Sequence, residues 1–112
     1  MKLIHLIFTV LLLTSTSVFA QNDVRIPNII TPNGDNINDI FSIRSQGYVG
    51  LTCTIINRYG EPVYRYFGLN GTWDGFTHAG IKVSPGTYFV FVEFVLESGE
   101  IITQQGTLLV QY

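Results

Sequence analysis

The whole 112-residue sequence holds one cysteine, Cys53. No internal disulfide can form, so a domain of this size must rest on its apolar core, with a bound ion as the other means of support. Basic residues are also sparse. Beyond residue 20 there are four arginines and Lys82, scattered among eight acidic residues, for a net charge near −3. The absence of any basic run excludes nucleic acid and anionic membrane as partners. Beyond residue 20 the only histidine is His78, which excludes two-histidine zinc sites. It lies in the turn-like stretch Thr77-His78-Ala79-Gly80 and reads as a solvated loop side chain. Cys53 falls on the apolar face of the alternating run Leu51 to Ile56 and reads as a small buried hydrophobe, because a nucleophilic thiol needs an electropositive, partly exposed setting. Asp35, Asp39, Asp74 and Glu61 are the carboxylates open to paired acid and base work, but sequence does not give their separation. The chain reads as a non-enzyme with no catalytic residues.

Long apolar runs are confined to the start. Lys2 supplies a short positive region, Leu3 to Leu13 an apolar core, and Val18-Phe19-Ala20 a cleavage site with small outer residues, so residues 1–20 read as a secretory signal peptide. The run gives way to Thr14-Ser15-Thr16-Ser17 before reaching the roughly twenty apolar residues of a membrane span. No cysteine follows the cleavage site to carry a lipid, and no membrane insertion is expected after cleavage. Residues 21–112 suffice for one domain with one core.

Helical periodicity is missing as well. No stretch beyond residue 20 keeps an apolar period of three and four for three turns. Turn signals recur every eight to twelve residues, among them Pro32-Asn33-Gly34, Tyr59-Gly60-Glu61-Pro62, Leu69-Asn70-Gly71, Ser84-Pro85-Gly86 and Ser98-Gly99, with short β-branched and aromatic runs between them. The pattern predicts an all-β fold, an immunoglobulin-like antiparallel β-sandwich of about seven strands. Thr87 to Leu96, apolar except around Glu93, reads as a central strand with its second face covered by loops or a partner. Glu97-Ser98-Gly99-Glu100 reads as the hairpin loop into a last strand, Ile101 to Tyr112. At a sheet edge, that strand would offer Leu108, Leu109, Val110, Gln111 and Tyr112 to a partner.

What the sequence does have is the octet Asn33 to Ile40. Asn33, Asp35 and Asp39, with the Ile37 carbonyl between them, have the alternate spacing by which a tight loop directs oxygens at a hard cation, and Ca²⁺ is the one candidate cofactor. The same residues make a well-formed turn without metal, since Asn-Gly and Asp-Asn bond nearby backbone. An EF-hand is excluded, because counting from Asn33 its glycine and glutamate positions hold Asn38 and Arg44. Trp73 reads as the main core aromatic, with Asp74-Gly75 shaping the next turn. Arg58 reads as a clamp on turn carbonyls. Tyr48, Tyr59, Tyr66, Phe67 and Phe76 are candidates for a glycan-stacking surface, and a small secreted Ca²⁺-stabilised glycan-binding or adhesion module is the alternative function.

Thr31-Pro32-Asn33-Gly34-Asp35-Asn36-Ile37-Asn38-Asp39-Ile40-Phe41 resembles the opening of the gliding-motility-associated C-terminal domain, the type B sorting domain of the Bacteroidetes type IX secretion system. Three further blocks follow in register. Asn57-Arg58-Tyr59-Gly60 with Val63-Tyr64, Trp73-Asp74-Gly75, and Pro85-Gly86-Thr87-Tyr88-Phe89 are similar to that family's later motifs, and the resemblance spans residues 26 to 112. It implies a folded, non-catalytic signal, exported by Sec to the periplasm and then recognised by the type IX translocon or surface-attachment components for passage to the cell surface or medium. In that family the domain follows a larger cargo, whereas here the signal segment joins it directly. Two further departures are Asn36, where the family usually has glycine, and Leu109-Val110-Gln111-Tyr112, where many members carry Lys or Arg. Asn tolerates the left-handed conformation that such a glycine adopts.

Overall fold

The structure, a computed structural model, describes residues 23–112; the signal segment read at 1–20 lies outside the described residues. Among the described residues there are nine strands and no helix: β1 Val24–Arg25, β2 Ile29–Ile30, β3 Phe41–Ser42, β4 Arg44–Ser45, β5 Gly50–Ile56, β6 Pro62–Phe67, β7 Thr72–Trp73, β8 Gly86–Val95 and β9 Ile101–Val110. One five-stranded sheet, ordered β2-β9-β8-β5-β6, forms the main layer. The two-stranded ribbons β1-β4 and β3-β7 form the facing layer, and one apolar cluster lies between. This is an immunoglobulin-like sandwich.

β8 is central, flanked by β9 and β5, and is register-paired to β9 over its full length from Gly86↔Val110 to Val95↔Ile101. The turn between them closes as the loop composition predicts, with the Leu96 amide on the Glu100 carbonyl at 2.8 Å and the Gly99 amide on the Leu96 carbonyl at 2.8 Å. Strict alternation fixes the faces. Tyr88, Val90, Val92 and Phe94 of β8, Leu51, Cys53 and Ile55 of β5, and Leu108 and Val110 of β9 are buried on the inner side.

Two expectations about β9 and β8 are corrected. The end of β9 is not a free edge. β2 lies beside it in parallel, with Ile29 opposite Leu109 and Ile30 opposite Val110, so the main sheet is mixed rather than antiparallel throughout. The Leu109 and Gln111 amides donate to the Asn28 and Ile30 carbonyls at 2.9 and 3.1 Å. The pair is parallel because the two strands are far apart in sequence and joined by a long excursion through the other layer, not by a hairpin. Of the two covers read for the outer face of β8, loops are absent among the described residues, where Phe89 is 47 % exposed.

Cys53 and Tyr66 are cross-strand partners in the core. Burial pushes the thiol up to about 11, against a smaller opposite pull from Tyr66. Burial also raises the Tyr66 phenol, and the adjacent thiol raises it further. The two groups touch without reaching hydrogen-bond geometry, which leaves the Tyr66 hydroxyl buried and unsatisfied. Both groups are therefore held neutral in the folded state while the unfolded chain ionises first. Stability from Cys53 is fully present below pH 9 and is lost as pH rises from the ordinary 9.0 through about 11, in total about 3 kcal/mol. Cys53→Ala should flatten this part of the alkaline limb in denaturant titrations. Tyr66→Phe, which removes an unpaired buried hydroxyl, should leave neutral-pH stability unchanged or raise it by up to about 1 kcal/mol.

Candidate functional site

The four sequence blocks converge on one side chain. Trp73, 1 % exposed, is register-paired with Phe41 of the first block across β3-β7. Its ring lies 6.3 Å from Tyr64 of the second and 6.2 Å, edge-on, from Tyr88 of the fourth. The indole N–H donates to the Phe76 carbonyl at 2.8 Å, and Asp74 Oδ1 accepts the Phe76 amide at 3.1 Å, folding the chain tightly after Gly75. Gly75 has φ +91°, and a Cβ there would meet the Pro32 ring at 3.0 Å. Tyr88 donates to the Ser84 carbonyl at 2.6 Å. A strand-entry tyrosine bonded a few residues upstream is a corner found in immunoglobulin-like sandwiches. These motif residues build and join the layers.

The loops attached to this hub emerge at one end of the main sheet. Ile30, Gly86 and Val110 share a register row, and Ile56 stands opposite Phe89. The Asn33–Asp39 loop, the β5–β6 turn, the approach to Gly86 and residues Gln111 and Tyr112 therefore project from the same end. In the β5–β6 turn, Asn57 Oδ1 accepts the Tyr59 and Glu61 amides, each at 3.0 Å. Asn57, not Arg58, holds that corner. The Arg58 guanidinium donates to the Tyr59 hydroxyl at 3.0 Å and lies 5.1 Å from its ring centre. Asn57, Arg58 and Tyr59 face Ser84, Pro85, Gly86, Thr87 and Tyr88 across a cleft of about 230 Å³. Tyr112 donates to the Val83 carbonyl at 2.6 Å, with the Lys82 ammonium 3.9 Å from its ring centre. Burial raises the Tyr112 phenol, and Tyr88 adds to the rise. Of the five residues 108–112, Leu108 and Val110 are fully buried in the core, so Leu109, Gln111 and Tyr112 alone have surface to offer.

The octet is organised around Asp39. Its Oδ1 accepts the Asn33 and Gly34 amides, each at 3.2 Å, and its Oδ2 accepts the Asn36 amide at 2.7 Å. Asn33 Oδ1 accepts the Asp35 amide, Asp35 Oδ1 the Ile37 amide, and the Ile37 carbonyl the Thr31 hydroxyl. Each residue assigned to a cation by its spacing thus already accepts a bond from the loop through at least one oxygen. Gly34, Asn36 and Asn38 take the intervening left-handed positions, at φ +83°, +64° and +53°. Asn36 occupies the conformation that glycine usually serves. Asp39→Ala should cost about 2 kcal/mol, lowering Tm by roughly 10 °C with or without added Ca²⁺. A Ca²⁺-dependent rise in Tm that disappears in this variant would assign the loop to the cation instead.

The aromatics proposed for glycan stacking do not form one platform. Tyr66 is buried, Tyr48 packs on Phe94 at 4.5 Å, and Tyr59, Phe67 and Phe76 project from separate elements. Sequence reasoning missed His78: its Nε2 accepts the Arg65 amide at 3.0 Å and its ring stacks on Tyr64 at 4.3 Å. It caps a backbone donor of the edge strand β6. No local signal marks this contact, because Arg65 and His78 belong to different elements.

Fold and site together define a small β-sandwich whose shared motif residues are structural and whose loops gather at one end. The family model described as CHU_C Type IX secretion signal domain matches residues 24–110, and the chain belongs to that family. Among solved structures, that of CopC from Methylosinus trichosporium OB3b is similar, with a TM-score of 0.54 at 17 % identity over 80 % of this chain and 89 % of that one. At that identity the likeness shows the fold alone. Comparison with curated proteins finds no match.

Proposed function

We propose that this domain is a non-catalytic export signal, read in its folded state by the outer-membrane translocon of type IX secretion after Sec passage to the periplasm, and that it carries the chain to the cell surface or medium. The family match over residues 24–110 carries this reading. The recognition surface is the motif-rich end of the sandwich: the Asn33–Asp39 loop, Arg58 and Tyr59, and Lys82 with Leu109, Gln111 and Tyr112. Its support is the convergence of the loops there and the way Tyr112 is pinned by Val83 and Lys82. Lys82 also brings a positive charge beside Tyr112, in a segment where many relatives carry the charge in the chain itself.

Localisation tests this. Full-length chain expressed in a type IX-competent host should be found at the surface or in the medium, and should be retained in the periplasm of a translocon-null strain. Lys82→Glu with Tyr112→Ala should reduce export severalfold while leaving the purified domain folded. Identical periplasmic retention in both strains would overturn the proposal.

A further inference from the structure

The outer face of the main sheet carries apolar surface that no other described residue covers. Phe67 is 71 % exposed, Ile101 57 % and Phe89 47 %, with Phe91 half-buried between them. The registers place all four on one side. Thr52 pairs with Phe67 and Glu93, Thr54 with Arg65 and Phe91, Phe89 with Ile56, and Val95 with Ile101. Polar positions on this side are mainly uncharged Thr and Gln, and the charged residues at these positions are Arg65 and Glu93.

Those two residues are not partners of each other. Arg65 lies across the face with its Nε donating to Thr54 Oγ1 at 3.1 Å, which leaves Thr54 only 7 % exposed. Its terminal fork remains for another acceptor. Glu93 is two strands across and two residues along, a backbone separation of about 12 Å at sheet spacings. One cation and one anion are thus fixed on an otherwise apolar and uncharged face, each without a partner among the described residues.

A single symmetry operation pairs both. A twofold axis lying in the interface, perpendicular to the line between Arg65 and Glu93 and bisecting it, sets each arginine against the other copy's glutamate and stacks the phenylalanine surfaces face to face. The extent fits. Four strand spacings by ten residues gives about 600 Å² of projected face, close to the roughly 800 Å² of accessible surface per partner in a stable interface. We infer that this face is a self-complementary dimer interface, whose occupant is a second copy of this chain. It lies on the side of the sheet, apart from the end assigned to export, so either assignment can fail without the other.

Chain purified after expression of the full sequence should sediment as a dimer at roughly 100 µM. Arg65→Glu and Glu93→Arg each place like charges at both contacts and should each weaken self-association at least tenfold or so. Mixed together, these two variants meet with opposite charges at both contacts and should form a heterodimer, and the double variant should recover the homodimer. Circular dichroism of each variant excludes unfolding as the cause. A monomeric wild-type chain at that concentration, or single variants that associate as well as wild type, would overturn the assignment. Association that survives the charge changes but is lost in Phe89→Lys would overturn the Arg65–Glu93 pairing and with it this twofold.

Discussion

Trp73→Ala is expected to remove about 4 kcal/mol of stability, between about a third and four fifths of the whole. A domain of this length has roughly 5–13 kcal/mol in total. The indole is 1 % exposed and contributes to packing between the two layers. Its loss opens a cavity bordered by Phe41, Tyr64 and Tyr88, which come from three separate sequence blocks. It also frees the Phe76 carbonyl that the indole N–H satisfies. Thermal unfolding followed by circular dichroism measures the effect. Trp73→Phe, which keeps most of the volume but loses the N–H, should cost about half as much. An alanine variant destabilised by less than about 1 kcal/mol would show that the blocks do not depend on this side chain.

Gly71→Ala should cost about 3 kcal/mol and lower Tm by roughly 15 °C. The reason is contact, not conformation. A Cβ on Gly71 would overlap Tyr66 Cδ1 and stand 2.6 Å from Cε1. Tyr66, itself only 7 % exposed, is hemmed in and cannot step aside. Gly68 provides the contrast: its φ is +97° but a Cβ there meets nothing within 4 Å, so Gly68→Ala should cost only about 1 kcal/mol of backbone strain. Trimming the ring in Gly71→Ala/Tyr66→Val should give a double variant less destabilised than the two single costs summed. Strict additivity would refute the contact.

The glycine at 71 also shows where reading the sequence stopped. Leu69-Asn70-Gly71 is legible as a turn, and turn composition is a local property. That the same glycine is the floor under a buried tyrosine five residues earlier depends on how β6 and β7 approach each other. The octet is a similar case. Alternate oxygen-bearing residues are visible in the sequence, but spacing alone does not choose between pointing them outward at a cation and inward at amides. In the structure Asp39 takes three amides, and the left-handed Gly34, Asn36 and Asn38 curl the backbone around it. Arg58 and Asn57 were distinguishable only once the turn closed, when the shorter side chain proved to be within reach of the turn amides.

By itself the sequence determined the all-β class, the alternating inner face of β5, the hairpin into β9, the place of Trp73 in the core and the resemblance to type IX sorting domains. These rest on period, turn chemistry and motif order, all properties of neighbouring residues. Only the tertiary structure decided that β2 closes the end of β9, that Leu108 and Val110 are core rather than surface, that His78 caps β6, and that Arg65 and Glu93 share a bare sheet face. Each of these joins residues far apart in the chain. Long-range register and the choice of which face is left uncovered come from how the two layers pack, and that information is not carried by any one segment.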